Sequence, residues 1–361
     1  MDVLEGIEAL DWAQWHHAYG PATDVPSCLR ALTDADLDAA DEAKWQLYGN
    51  LWHQGTIYEA TGHAVPWLIR LLDDPMVDHA WLLTYLGHIA MGSSYNAQHA
   101  GLDFINASTD EYQEQMAQEL AWVKAARDRL VEGRPSFVRM LTHDDPAVRS
   151  SVLYVYACLG GALPIEDVRD LTTDASPMVR ASAVLSLVDA DDAVGRATAE
   201  RAMMDISLAV RWAGAYLAAF LPNAGAPVVT ILLDALNDSE ALLEIMNGSP
   251  FVDDGVDSMS ANALARIGPE IAPEAIDGMI GRLNWVGASE ALSLVSTLLY
   301  MVFGNKPAPP TLTDAQRKVL RAIAASDNAW TFDGNMWGIL NQWELPTKRA
   351  DLKTHADDAG I

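Results

Sequence analysis

The sequence predicts an all-α chain, a right-handed α-solenoid of about seven or eight helical hairpins. Three observations predict it. A short motif recurs every 31 residues, as Asp145-Pro146-Ala147-Val148-Arg149, Ser176-Pro177-Met178-Val179-Arg180 and Ser207-Leu208-Ala209-Val210-Arg211. Its flanks keep the same register, with Phe137, Val168 and Ala199 in step upstream, then Met140, Leu171 and Ala202. Finally, strand signals are nearly absent: Ala, Leu and Asp dominate, and no Asn-Gly or Asp-Gly pair joins two alternating runs. A lone helix pair cannot cover its apolar face, whereas stacked pairs bury a continuous seam.

The elements follow in order. Near the N-terminus, Asp24–Leu32 aligns with His63–Leu72, the Val-Pro dipeptides lying 40 residues apart. Each Pro is expected in a first helical turn, where a missing N–H is tolerated. Acids mark the turns that follow, Asp34 and Asp36 in one unit and Asp73-Asp74-Pro75 in the other. An insert at about 91–132 comes next: Gly92–His99 reads as a polar loop and Asp110–Glu132 as a long helix with Trp122, Val123 and Leu130 on one face. In the 31-residue units, Ser150–Leu159, Ala181–Val188 and Trp212–Phe220 are apolar at helical spacing. The uncharged stretch Trp212–Leu233 is long enough to cross a bilayer by count, but Pro222, Asn223, Gly225 and Pro227 divide it into two helices. Weaker helix pairs occupy 226–267 and 272–303. Lys306-Pro307-Ala308-Pro309-Pro310 forms a stiff linker, and Thr313 with Gln316 offers a capping box to a helix reaching about Ala325. The expected organisation is thus an array over 1–305 and a Trp-bearing helical cap over 306–361.

Composition narrows function. The 361 residues carry 23 Lys+Arg against 50 Asp+Glu, a formal charge of −27. That balance opposes sequence-independent nucleic-acid binding, which needs cations on phosphates, and docking on anionic lipid. Half the residues are hydrophobic, too many for a disordered chain. Two cysteines, Cys28 and Cys158, are too few for a disulfide framework or a thiolate zinc site. With an acidic N-terminus in place of a secretory signal, a cytoplasmic protein is expected.

The acids are unevenly placed. From Trp212 to Ala265 there is no Lys or Arg, while Asp234, Asp238, Glu240, Glu244, Asp253, Asp254 and Asp257 are all present. A second cluster holds Asp34, Asp36 and Asp38, with Arg30 the only cation before Lys44. Such surfaces steer a basic partner, and they also serve solubility or salt adaptation. Arg149, Arg180 and Arg211, with Asp174 and Asp205, form a ladder that could be a charged binding row but reads first as inter-repeat ion pairs and caps in the turn layer.

Candidate chemistry is thin. His53, Gln54, Tyr58 and Glu59 make the densest polar set near an apolar run, with His53 and Glu59 able to act as base and acid. The competing reading is a turn at Gly55 held by side-chain hydrogen bonds. The nine histidines show no metal-binding spacing, Cys158 sits in an apolar run, and no nucleotide or hydrolase motif occurs. No cofactor and no metal are expected. Trp12, Trp15, Trp45, Trp52, Trp67 and Trp81 crowd the first quarter, mostly as packing, with one or two as exposed partner anchors.

The Asp-Pro-x-Val-Arg turn between two helices resembles the HEAT repeat, in the bacterial HEAT-like or phycobilisome-lyase-type form. The stretch from His17-Ala18-Tyr19-Gly20-Pro21-Ala22 to Asn50-Leu51-Trp52-His53-Gln54-Gly55-Thr56-Ile57-Tyr58-Glu59-Ala60-Thr61 is similar to actinobacterial HEAT-repeat proteins. The resemblance implies an α-solenoid that binds other macromolecules, and no reaction. DNA glycosylases of this fold present a basic face, and deoxyhypusine hydroxylases carry His-Glu dipeptides; this chain is acidic and has no His-Glu pair.

The expectation is therefore a non-enzymatic protein-binding module, in its sharper form an acidic immunity protein neutralising a basic, nuclease-type toxin. The alternatives are a small-ligand or enzymatic pocket near His53–Glu59 and a general scaffold. Oligomeric state has no signature in the sequence.

Overall fold

Helix termini in this chain are set by local side-chain chemistry, and the computed structural model shows how. It describes residues 2–98, 109–188, 192–222, 224–253, 255–270 and 273–358. They fall in two compact units, Met1–Thr173 and Asp174–Ile361, with the expected cap at 306–361 inside the second.

The first unit holds α1 (Val25–Ala31), α2 (Leu37–Leu51), α3 (Glu59–Arg70), α4 (His79–Met91), α5 (Tyr95–Gln98), α6 (Asp110–Glu132), α7 (Arg134–Met140), α8 (Pro146–Cys158) and α9 (Glu166–Arg169). Two antiparallel hairpins accompany them: β1 (His16–His17) pairs with β2 (Gly20–Pro21) ahead of α1, and β3 (Trp52–His53) with β4 (Thr56–Ile57) between α2 and α3. They correct the nearly strand-free expectation only in these two-residue strands. The second forms because Gln54 and Gly55 both take positive φ, 51° and 85°, as a tight hairpin turn requires.

Pro26 lies in the first turn of α1, as expected. Pro66 does not, for it stands inside α3. That helix starts earlier than the Val-Pro alignment suggests. Thr61 Oγ1 accepts the Tyr58 N–H at 3.2 Å and donates to the Leu51 carbonyl at 2.7 Å, fixing the start upstream of the Pro.

The long helix α6 keeps its expected bounds and packs on α3 and α4. Its Ala126 and Leu130 are fully buried. Arg127 donates to the carbonyls of Ala90, Cys158 and Leu159, which stand at the C-terminal ends of α4 and α8. One cation thus reaches carbonyls at the ends of two helices, of which Leu159 also accepts from Ala162 N at 3.3 Å. The aromatic N-terminal segment is pinned separately, with the Trp15 ring stacked 3.7 Å from His63 of α3.

The second unit holds α10 (Pro177–Leu185), α11 (Asp192–Ala202), α12 (Leu208–Ala219), α13 (Ala226–Asn237), α14 (Ser239–Ile245), α15 (Val256–Ile267), α16 (Ala275–Arg282), α17 (Ala288–Phe303), α18 (Asp314–Ala325), α19 (Asp333–Asn341) and α20 (Arg349–Asp357). Packing is sequential: α10 lies on α12, α12 on α13, α13 on α15 and α15 on α17. The uncharged stretch divides between α12 and α13, as its Pro and Gly residues dictate. Trp212 is fully buried yet keeps its indole N–H paired, 3.0 Å from Ser260 Oγ. The Thr313–Gln316 capping box is present in both directions, and Trp343 donates to the Gly304 carbonyl at 2.8 Å.

The recurring Arg has a local task. Arg149 donates to the carbonyls of His143 and Asp144, Arg180 to those of Asp174 and Ala175, and Arg211 to those of Asp205 and Ile206. Each closes the turn that precedes its own helix. Arg180 also grips Asp205 with two bonds, at 3.0 and 2.9 Å. The architecture is thus all-α and helical-repeat-like, and among the described residues no helix is long and apolar enough to cross a membrane.

The hydrogen bonds from Arg180 hold the Asp205 carboxyl below its usual pKa. The native state therefore binds fewer protons than the unfolded chain, so this contribution is full above the ordinary carboxylate range and fades as pH falls through the native value. Arg180→Met is expected to cost about 2 kcal/mol in urea unfolding at neutral pH, less than breaking a fully buried pair because both groups keep some solvent. The deficit relative to the parent should shrink in acid.

Candidate functional site

The acid-rich segment runs through α13, α14 and the turn beyond. Asp234, Asp238, Glu240, Glu244 and Asp253 are exposed. Among the described residues no ion pair engages Asp234, Asp238, Glu240 or Glu244. Alternation on α13 explains the placement: Val228, Val229, Leu232, Ala235 and Leu236 take the buried face and leave Asp234 outside. Asp254 lies outside the described residues. Asp257 corrects the expectation. It is 6% exposed and pairs with Arg282 of α16 at 2.9 Å, so it belongs to the packing between α15 and α16 and is not free to meet a partner.

The N-terminal acids are exposed but partly employed. Asp34 accepts the Asp36 N–H at 3.0 Å, and Asp36 accepts that of Asp38 at 3.1 Å as the N-cap of α2. Asp38 sits in the first helical turn, where a negative charge suits the helix dipole. All three residues are exposed.

The His53–Glu59 set is distributed over β3, the hairpin turn and the start of α3. His53 Nδ1 stands 3.4 Å from the hydroxyl of Tyr19, itself exposed. Glu59 Oε2 lies 3.9 Å from His16 Nδ1. No hydrogen bond or ion pair joins His53 to Glu59 among the described residues, and Gln54 projects from the turn. Tyr58 is half-buried, and burial pushes its phenol above the usual pKa, which makes it a poorer acid. The turn itself is braced from outside, since the Gly55 carbonyl accepts from Ser93 N at 2.8 Å and Gln98 Nε2 at 3.4 Å. Nearby, Glu119 is buried and accepts from Asn96 N and Nδ2 and from Gln115, tying α5 to α6.

Other reactive side chains are similarly engaged. His17 uses both ring nitrogens, Nδ1 accepting from Tyr19 N at 3.0 Å and Nε2 donating to Asp24 at 2.9 Å. Burial pushes the Cys28 thiol to about 11 and that of Cys158, half-buried at the end of α8, to about 12. Neither is an activated nucleophile. No group of three or more His, Cys, Asp or Glu residues is placed to hold a metal ion among the described residues. In the second unit, Arg196 and Glu200 edge a cleft of about 170 Å³ over Leu221 and Val228, below the size of a typical small-molecule site.

One constellation lay beyond sequence reading. Rings from α2, α4 and α8 converge, with Tyr48 at the centre of Trp52, Trp81, Tyr85 and His88, and Tyr154 beyond His88. Its signal was the recurrence of aromatics at three- and four-residue steps in α2 and α4.

No family model and no curated protein matches the chain. Among solved structures, the chain is similar to an engineered protein from the Northeast Structural Genomics Consortium. The alignment covers 93% of this chain and 98% of the other, at 17% identity and a TM-score of 0.29.

Gly55→Ala tests the hairpin. A side chain at φ 85° is strained, and its Cβ would stand 2.7 Å from Gln98 Nε2. A loss of about 1–2 kcal/mol in urea unfolding is expected, with amide exchange accelerating first at Trp52–Ile57.

Proposed function

We propose that this chain is a non-enzymatic protein-binding module, a HEAT-like right-handed solenoid whose acid-rich segments receive a basic protein. One observation carries the reading. Four exposed carboxylates, Asp234, Asp238, Glu240 and Glu244, stand in a stretch with no Lys or Arg from 212 to 265 and form no ion pair among the described residues. Uncompensated charge of one sign raises association rates with an oppositely charged partner and costs little in a solvated surface. In its sharper form the partner is a basic, nuclease-type toxin and the chain its immunity protein.

A small-ligand or enzymatic site at the β3–β4 hairpin is the second reading. It draws on Tyr19, His53 and Tyr58 gathering there. A scaffold without charge selectivity would bind equally at all salt concentrations.

The four-residue variant with Asp234 and Asp238 changed to Asn and Glu240 and Glu244 changed to Gln should lose about tenfold in affinity for a basic protein probe such as a cationic nuclease domain, measured by calorimetry in about 50 mM salt. Raising salt to about 500 mM should erase most of the difference. Binding confined to acidic or neutral proteins, or unaffected by both changes, would overturn the reading.

A further inference from the structure

The acid run leaves the half-buried rings of the first unit without a role. On α2 and its C-cap, Asp41, Trp45, Tyr48 and Trp52 recur at steps of four, three and four and so share one face. Asp78, the N-cap of α4, and Trp81, Tyr85 and His88 within it recur at steps of three, four and three and so share one face too. The two helices are joined by the Tyr85 hydroxyl, which donates to the Leu47 carbonyl at 2.7 Å. The half-buried rings form a connected face, with Trp52 stacked 5.2 Å from His88, Tyr154 of α8 5.7 Å from His88, and Tyr48 4.7 Å from Tyr85, which is fully buried and supports the face from the core. Gly87 makes room for that last contact, since a Cβ there would stand 2.5 Å from the Tyr154 ring.

The end of this surface nearest the helix N-termini is acidic, and a cation already sits in it. Lys44 Nζ lies 3.1 Å from Asp41 and 3.1 Å from Asp78, and 5.6 Å from the centre of the Trp81 ring. Burial opposes its charge, yet the two carboxylates hold its pKa above the ordinary lysine value. Two carboxylates beside a ring face meet the needs of a guanidinium or ammonium group. Trp45, 74% exposed, stands one helical turn from Asp41 and from Tyr48 on α2.

We propose that the acid-and-aromatic face of α2, α4 and α8 is a docking site for the cationic side chains of a basic peptide segment, with Lys44 as an internal occupant that an incoming arginine displaces. Charge complementarity selects this occupant, because the chain carries −27 and the rim of the ring surface carries Asp41 and Asp78. Arginine fits better than lysine, since its planar head stacks on rings and bonds a carboxylate through two donors. The proposal rests on the basic-partner reading for the partner's chemistry and is independent of it for location.

The test is titration of the full chain with decaarginine, decalysine and decaglutamate peptides, followed by tryptophan fluorescence and calorimetry. Lys44→Met should tighten decaarginine binding about fivefold, beyond the effect of Lys318→Met, which makes the same charge change on α18. Asp78→Asn, which keeps the helix cap, should weaken it about tenfold. Trp81→Leu should do likewise without altering charge. Should Trp81→Leu disturb the fold by circular dichroism, Trp45→Ala at its exposed position should still weaken binding about threefold. Decalysine should bind more weakly than decaarginine, and decaglutamate not at all. Equal gains from Lys44→Met and Lys318→Met, or unchanged affinity in the ring variants, would overturn the site. The two proposals fail separately. Loss of binding only in the variant neutralised at Asp234, Asp238, Glu240 and Glu244 removes this site and keeps the acid-run reading; loss only in the ring and Asp78 variants does the reverse.

Discussion

Apolar burial renewed between each helix and the next is the constraint on which the molecule depends. Most of its helices are short, and several, such as α7 and α14, are seven residues long. Helices of that length are marginal in water on their own. They persist because each lends a face to its neighbours: Phe137 of α7 and Leu242 of α14 are fully buried. The polar devices follow from this need. Where successive helices must be held at short turns, an arginine closes the preceding carbonyls, and Arg180 also reaches to the acid of the next turn. Direction and spacing are thereby fixed by hydrogen bonds, while the free energy comes from the seam.

The sequence revealed what is periodic or local. The motif around Arg149, Arg180 and Arg211 stood out because one local geometry demands the same residue each time. The bounds of α6 and α18 were legible because caps and linkers are written in consecutive residues. Pro66 misled for a related reason: its own dipeptide resembles a helix start, but Tyr58 and Thr61 set the start upstream. The two hairpins escaped notice because two-residue strands have no alternation to detect.

Pairings between distant residues were out of reach. Nothing between 212 and 265 offers Asp257 a cation, and Arg282, which buries it, comes from the next helix pair. Likewise Tyr48, His88 and Tyr154 are widely separated in the chain and meet only when α2, α4 and α8 pack. The exposed acids are the opposite case. Their accessibility follows from the helical pattern of α13, which can be read one turn at a time.

Arg127 gives the long excursion between α4 and α8 an unexpected status. Inserts in repeat proteins are commonly dispensable decorations that can be trimmed to shorten a scaffold. Here α6 places a guanidinium on the carbonyls that end two neighbouring helices. It works as a keystone, so an engineered miniature that deletes it would have to find another donor for the carbonyls of Ala90 and Cys158.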